Sequence, residues 1–280
     1  MLQKEERIRL EKFAAEIRIK TIRQMAVRGF GHVGGAMSIV ETLAVLYGGA
    51  MKINPAEPNW EGRDWLVCSK GHAGPAIYSA LSMKGYFPEE WLSTLNTTGT
   101  KLPSHCDRNK TPGIDVSTGS LGQGVSLAAG VALGYKTDGK DNTVFCILGD
   151  GECQEGQVWE AASFAAQKKL SNLVLLIDDN KVQLDGATAE VNNMESFEEK
   201  FRAFRFNTIV VDGHDVGEIS EAIAAARAES EKPTAIILNT VKGKDCVFAE
   251  GVFNHHINVS EEQAAEAIAF LENKIKAMGV

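Results

Sequence analysis

The stretch TVFCILGDGECQEGQVWEAASFAAQKKLSNLVLLIDDN, residues 143–180, predicts a strand–helix–strand unit. Two short apolar runs, 143–148 and 173–178, flank a segment of helical spacing over about 155–170. Continuous apolar runs that alternate with helices are typical of parallel strands buried on both faces of a sheet. Each run ends in polar residues, which are Gly149-Asp150-Gly151 after the first and Asp179-Asn180 after the second.

The same alternation extends in both directions and predicts the fold class. We expect an α/β fold in which helices cover both faces of a three-layer, doubly wound parallel sheet, forming a single domain over residues 1–280. The other apolar runs are DWLVCS (64–69), NTIVVD (207–212) and TAIILNTV (234–241), and further helices are predicted over 4–28, 72–84, about 195–204 and about 215–229.

Three local patterns predict additional helices. Ser38 and Glu41 have the spacing of a capping box and indicate the start of a second helix. PEEWLSTL (88–95) predicts a helix that begins at Pro88. GQGVSLAAGVALGYK (122–136) places small residues at helical spacing, which suits a helix packed against a close neighbour.

Composition and charge narrow the functional classes. The 280 residues are 44% hydrophobic and 24% charged, with a net charge of -8, which disfavours nucleic acid and anionic membranes as partners. The charged amino terminus predicts neither a signal peptide nor a membrane span. The five cysteines lack CxxC spacing, so we expect reduced thiols in a cytoplasmic protein.

The polar strand ends predict a site for a divalent cation and a diphosphate. Asp150 and Asn180 offer one anionic and one neutral oxygen from adjacent strand ends, and the Val182 carbonyl completes a ligand set for Mg²⁺ or Ca²⁺. Gly151 allows the backbone to approach phosphates, and the helix starting near Glu155 directs its free N–H groups toward them. The alternative is that these segments are an ordinary tight turn and an ordinary strand-end loop.

Taken together, these segments resemble the thiamine-diphosphate-binding motif, and GDGECQEGQVWEAASFA is similar to its transketolase version. The resemblance covers essentially the whole chain. It implies the thiamin-diphosphate-binding fold, thiamine diphosphate as cofactor, and transfer of a two-carbon glycolaldehyde unit from a ketose phosphate to an aldose phosphate. The other matching segments are GHVGGAMS (31–38), SKGHAGPAIYS (69–79), STGSLGQG (117–124) and DDNKVQLDG (178–186).

The resemblance also implies roles for the histidines. His32 and His255 would hold the substrate's carbonyl oxygen, and His105 would bind the donor's terminal hydroxyl. The family usually has Trp-His-Gly where this chain has Asn254-His255-His256, so His256 is a rival of His255. His214 matches a family loop but is assigned no chemistry.

Cofactor contacts follow from the same resemblance. Leu121 and Leu184 would pack on the cofactor rings, although both could equally be plain core leucines. Lys70 matches a family position near the phosphates. The full set of cofactor-binding residues implied by the resemblance is His72, Gly119, Leu121, Gly149, Gly151, Glu155, Asn180, Leu184 and Lys242.

In transketolases, the glutamate that hydrogen-bonds the cofactor's aminopyrimidine belongs to a second domain, for which no segment is found here. We therefore expect the amino-terminal subunit of a split transketolase, active only with a carboxyl-terminal subunit that carries the pyrimidine-binding domain. The symmetry of the family's sites suggests two copies of each subunit.

Three alternatives remain open at the level of sequence. One is transketolase-like chemistry on an unusual or sulfonated ketose, and another is a subunit of a deoxyxylulose-phosphate-synthase-like enzyme or of a 2-oxoacid dehydrogenase. The last is a cofactor-binding module without catalysis. The physiological sugars and the partner's identity are not decided by the sequence.

Overall fold

The computed structural model of this chain describes residues 2–251 and 255–279. The strands are β1 (Phe30–Gly31), β2 (Trp65–Cys68), β3 (Val144–Gly149), β4 (Leu173–Asp179), β5 (Asn207–Asp212), β6 (Thr234–Asn239) and β7 (Ile257–Asn258). The α-helices are α1 (Lys4–Arg28), α2 (Val33–Met37), α3 (Val40–Val45), α4 (Gly74–Met83), α5 (Gln123–Thr137), α6 (Gly156–Gln167), α7 (Thr188–Val191), α8 (Phe197–Ala203), α9 (Val216–Ala228) and α10 (Glu261–Ala277).

Five of these strands form one parallel sheet in the order β2-β3-β4-β6-β5. Successive residues of β3 point to opposite faces: Phe145 and Ile147 pack into one buried cluster, and Cys146 and Leu148 into another. Helices α1, α3, α4, α9 and α10 contribute to the first cluster, and α5, α6 and α8 to the second. The predicted three-layer α/β architecture is therefore confirmed.

The register brings four strand ends to one edge of the sheet. Cys68 lies beside Ile147 in the β2–β3 pair, and Gly149 lies beside Asp178 in the β3–β4 pair. Asp179 in turn lies beside Asn239, the last residue of β6. The loops that follow β2, β3, β4 and β6 therefore start next to one another, where open α/β sheets bind their ligands.

The structure corrects the start of one predicted helix and the type of another. Ser38 is not the N-cap of a helix: it follows the last residue of α2, its Oγ donates to Asp178 Oδ2 at 2.7 Å, and Glu41 forms an ion pair with Arg18 at 2.6 Å. Both side chains are buried, so distant partners compete successfully with the local capping bonds. PEEWLSTL forms a 3₁₀ helix, Glu89–Thr94, instead of an α-helix.

The stretch Val33–Ala50 is long and apolar enough to match a membrane span by length and composition, with a mean hydropathy of 1.3. Within this structure 83% of it is buried inside the protein. It packs between α1, α4 and α9, and its apolar character is that of a core segment.

Candidate active site

A cavity of about 300 Å³ lies at the edge where the strand ends converge. Lys70 reaches it from the end of β2, and Leu121 comes from the loop before α5. The predicted site residues that line this cavity are His72, Leu121, Gly149, Asp150, Gly151, Glu155, Asn180, Val182, Leu184, Lys242 and His255.

Asp150 is the residue of the cavity whose side chain best fits a cation ligand. Its side chain accepts a hydrogen bond from Gly151 N–H through Oδ1 at 2.7 Å, whereas Oδ2 is buried and has no partner in the described part of the chain. Burial, and then the charge of Asp178, raise the pKa of Asp150 to about 7. A buried carboxylate oxygen without a partner is costly unless a ligand satisfies it.

Asn180 and Val182 supply the other two oxygens of the predicted metal site. Asn180 Nδ2 donates to Asp178 Oδ2 at 2.8 Å, and its Oδ1 accepts from Val182 N–H at 3.1 Å. The Val182 carbonyl accepts from Lys242 Nζ at 3.3 Å, so this oxygen already faces a cation. The three oxygens fit a hard divalent cation that takes its remaining ligands from phosphate and water.

Residues 2–251 and 255–279 contain no cluster of three or more His, Cys, Asp or Glu residues arranged to hold a metal. The proposed ligand set is of a different kind, because it has one carboxylate, one amide oxygen and one backbone carbonyl. Such a set is too small for a dedicated all-protein metal cage and suits a metal that takes its other ligands from phosphate and water.

Asp178 is an organising residue that the sequence reasoning missed. It is fully buried and accepts from Lys70 Nζ at 2.5 Å and from Thr240 Oγ1 at 2.5 Å, in addition to its bonds with Ser38 and Asn180. Burial alone would raise the pKa of Asp178, but Lys70 and the hydroxyl donors outweigh it and lower the pKa. The available signal was an acidic residue at the end of an otherwise apolar run.

Glu152 is a second missed carboxylate. It is buried and lines the cavity, and its Oε2 accepts from Gly149 N–H at 3.1 Å while its Oε1 accepts from Gly122 N–H at 2.8 Å. Ser69 Oγ donates to the same Oε1. Glu152 thereby joins the end of β2 and the start of α5 to the end of β3.

Five of the six histidines meet beside the cavity. The centroid of the His32 ring lies 4.9 Å from those of His255 and His256, 5.4 Å from that of His72 and 5.7 Å from that of His105. Burial, and then the neighbouring imidazoles, lower the pKa of His32 to about 4. Burial and the nearby lysines lower the pKa of His255 to about 4 as well. The rings of His32 and His255 are therefore neutral near pH 7, where each can donate and accept a hydrogen bond.

Three predicted residues, His32, His105 and Gly119, lie beside the cavity without lining it. His105 lines an adjoining open pocket of about 520 Å³. Gly119 packs closely against His105, since a Cβ at position 119 would lie 3.3 Å from the His105 ring. The absence of a side chain at Gly119 therefore leaves space for the His105 ring. Gly119 itself is not part of the cavity wall.

The structure separates His255 from its rival. His255 lines the cavity and lies 4.5 Å from His72 between ring centroids, whereas His256 is exposed and packs on Phe30 at 4.9 Å. Asn254 lies outside the described residues. The two leucines are not core residues, since Leu121 is 39% and Leu184 is 61% exposed on the cavity wall.

Comparisons with known proteins show the family of this chain. The family model described as "Transketolase, thiamine diphosphate binding domain" matches residues 10–271. A 6-deoxy-6-sulfo-D-fructose transketolase subunit from Clostridium sp. (strain MSTE9) is 49% identical over 96% of this chain and 98% of its own length. One of the subunits of an apulose-4-phosphate transketolase from Phocaeicola vulgatus is 36% identical over 89% of this chain and 88% of its own.

Solved structures show the same fold in longer chains. A transketolase mutant from Pichia stipitis superposes with a TM-score of 0.87 at 31% identity, covering 95% of this chain and 40% of that one. Transketolase from Campylobacter jejuni gives 0.86 at 29% identity, covering 96% of this chain and 47% of that one. The chain thus spans less than half the length of these solved transketolases.

Proposed function

The chain belongs to the transketolase family as an amino-terminal, thiamine-diphosphate-binding subunit, and we propose that it is one half of a two-subunit transferase. In this proposal the complex moves a two-carbon glycolaldehyde unit from a ketose to an aldose phosphate. The observation that carries it is the cavity at the strand ends, which is lined by neutral His255 and by Asp150, whose Oδ2 has no partner in the described residues; the His32 ring lies 4.9 Å from that of His255.

Asp150, Asn180 and the Val182 carbonyl would hold a Mg²⁺ or Ca²⁺ ion, which would neutralise charge on the cofactor's diphosphate. Lys70 and Lys242 line the same cavity and add positive charge beside the phosphates. Once bound, thiamine diphosphate supplies the carbon nucleophile that the side chains of the protein lack. Exposed Leu121 and Leu184 offer apolar surface to its rings.

The histidines act on the substrate in this proposal. His32 and His255 hydrogen-bond the oxygen that changes between carbonyl and hydroxyl, and His105 holds the terminal hydroxyl of the donor. Their lowered pKa values support these roles, since a neutral imidazole offers one donor and one acceptor.

The partner is a carboxyl-terminal transketolase subunit with the pyrimidine-binding domain, and we propose two copies of each chain in the cytoplasm. The partner subunit is supported by comparing the length of this chain with the lengths of its relatives. This chain covers 98% of a relative named as a transketolase subunit but only 40% of a solved transketolase chain.

The substrate is a ketose with an anionic end. The relative that is 49% identical is named for 6-deoxy-6-sulfo-D-fructose, which favours a sulfonated donor over the common pentose phosphates. A second relative, 36% identical, is named for apulose 4-phosphate, so the family's split members differ in their sugars.

The test is affinity purification of the tagged chain from its native extract with thiamine diphosphate and Mg²⁺, followed by mass spectrometry and a ketol-transfer assay. The donors are 6-deoxy-6-sulfo-D-fructose, xylulose 5-phosphate and fructose 6-phosphate. A stoichiometric partner with activity absent from the lone chain supports the proposal. A chain that binds cofactor but recruits no partner contradicts it and favours a cofactor-binding module.

A further inference from the structure

His214 lies outside the cavity, yet it contacts the loop that carries a cavity lysine. It follows β5 in the connection to α9, and its backbone N–H is held by Asp212 Oδ1 at 2.8 Å. Its imidazole bridges two other parts of the fold. Nε2 accepts a hydrogen bond from Val241 N–H at 2.8 Å, and Nδ1 lies 3.0 Å from Glu41 Oε2.

These two contacts select one form of the imidazole. An amide N–H is a donor, so Nε2 must present its lone pair to Val241. A carboxylate is an acceptor, so the proton sits on Nδ1 and points to Glu41. Only the neutral tautomer with Nδ1–H satisfies both neighbours.

Glu41 is in turn held by a buried arginine. Arg18 is 1% exposed and donates to Glu41 from both terminal nitrogens, at 2.6 and 2.7 Å. Its Nε donates to the Lys244 carbonyl at 3.0 Å. Burial would raise the pKa of Glu41, but Arg18 and His214 outweigh it and lower the pKa to about 2.

The hydrogen bonds of His214 and Arg18 therefore fix the segment 240–245, here called the lysine loop, on both sides of Lys242. His214 holds Val241 on one side of Lys242, and Arg18 holds Lys244 on the other. Gly243 N–H donates to the Gly34 carbonyl at 3.1 Å between these two points.

Lys242 is the residue of the lysine loop that enters the cavity. It is 3% exposed, and its Nζ lies 3.3 Å from the carbonyl oxygens of both Val182 and Gln183. Its methylene groups lie against Gly34, where an added Cβ would come within 2.8 Å of Lys242 Cγ. The side chain thus follows a narrow path that depends on where the backbone of residue 242 is placed.

We infer that His214 is a positioning residue, which fixes the lysine loop through Val241 so that the ammonium group of Lys242 reaches the diphosphate site. The inference rests on the proposed function, because it takes Lys242 as a cofactor contact. His214 itself touches neither cofactor nor substrate and acts through Lys242.

The first test is amide hydrogen exchange on the full chain. The Val241 amide is expected to exchange at least about tenfold faster in His214→Ala, because its acceptor is gone. The matched control is Asp215→Ala, which removes the N-cap of α9 in the adjacent position without touching the lysine loop. Unchanged protection of Val241 in His214→Ala overturns the inference.

The second test is a double-mutant cycle on thiamine diphosphate affinity, measured by calorimetry with Mg²⁺ on the complex with its partner. His214→Ala and Lys242→Ala are each expected to weaken binding about tenfold, and the double variant no further than Lys242→Ala alone. His214→Gln, whose Oε1 can replace Nε2 as acceptor, is expected to lie between wild type and His214→Ala. Asp215→Ala is expected to bind like wild type.

The outcomes distinguish failure of the positioning role from failure of the proposed function. A wild-type complex that binds no thiamine diphosphate contradicts the proposed function. If the wild type binds and Lys242→Ala weakens binding, but His214→Ala and His214→Gln do not, only the positioning role fails. Effects of His214→Ala and Lys242→Ala that multiply overturn it too, because a general loss of stability acts independently of Lys242.

Discussion

At the scale of single residues, the site is formed from groups that reduce the stability of the ligand-free fold. Asp150 is 3% exposed and one of its oxygens has no partner in the described residues. Under the proposed function, a bound cation would offset the cost of burying this charge. Function and stability therefore oppose each other at this position.

The first prediction concerns the pH dependence of stability. The pKa of Asp150 is raised from 3.8 to about 7, so its stabilising contribution is present below pH 4 and is lost as the pH rises through 7. Asp150→Asn has no such loss. At pH 8 without metal, it is expected to be more stable than wild type by up to about 4 kcal/mol.

Thermal unfolding of both proteins between pH 4 and 8 measures this difference. The gap in free energy of unfolding should shrink toward pH 4, where Asp150 is neutral in the folded protein. A gap that is constant over this range would show that the charge of Asp150 is not the cause.

The second prediction distinguishes the adjacent histidines. His255 lines the cavity and His256 packs outside on Phe30, so His255→Ala should lower kcat for ketol transfer about 100-fold or more. His256→Ala is the matched control and should change kcat by no more than a few-fold. Steady-state kinetics of the complex decide the point, and the reverse ranking would move the catalytic role to His256.

Residue types and spacing predicted the residues that line the cavity, but not the buried residues that hold them in position. Asp150 and Asn180 follow strand ends, where any ligand of a parallel sheet binds, so their position could be read from the chain. Asp178 and Glu41 could not be assigned in this way. Their partners lie far away in sequence, and Ser38 in particular has the local spacing of a cap but bonds to Asp178.

At the scale of elements, the strands were predictable because they are buried on both faces and appear as continuous apolar runs. The segment Glu89–Thr94 was harder, since its six residues are too few for helical periodicity to distinguish α from 3₁₀ geometry. Helix α5 shows how small residues serve two purposes, because some of its glycines meet a neighbour and others meet open space.

The third prediction uses this contrast within α5. A Cβ at Gly124 would lie 2.8 Å from Ser69 Cα, so Gly124→Ala should destabilise the chain by about 1–3 kcal/mol. Gly134 has nothing within 4 Å, so Gly134→Ala should stabilise it by about 0.5–1 kcal/mol through helix propensity. Urea denaturation measures both, and equal effects would refute close packing at Gly124.

At the scale of the whole molecule, this chain supplies half of the proposed active site. Under the proposed function, the cavity and the histidines beside it would bind a metal, a diphosphate and a sugar. The glutamate expected to contact the aminopyrimidine belongs to the proposed partner. Both chains then contact the same cofactor, and binding of cofactor and partner must be coupled.

The fourth prediction states this coupling. Thiamine diphosphate with Mg²⁺ should tighten the association of the two chains by the same factor by which the partner tightens cofactor binding, since linkage is reciprocal. Analytical ultracentrifugation with and without cofactor measures the first factor, and calorimetry measures the second. If the two chains associate equally well with and without the cofactor, the cofactor site lies away from their interface.

The most direct measurement of the central claim is a titration of the complex with thiamine diphosphate, in Mg²⁺ and in EDTA, for wild type and Asp150→Asn. We expect saturable binding of wild type in Mg²⁺, with binding lost in EDTA and in the variant. Binding that persists without a divalent cation, or that is unchanged in Asp150→Asn, would contradict the assignment of Asp150, Asn180 and Val182 as the metal-diphosphate site.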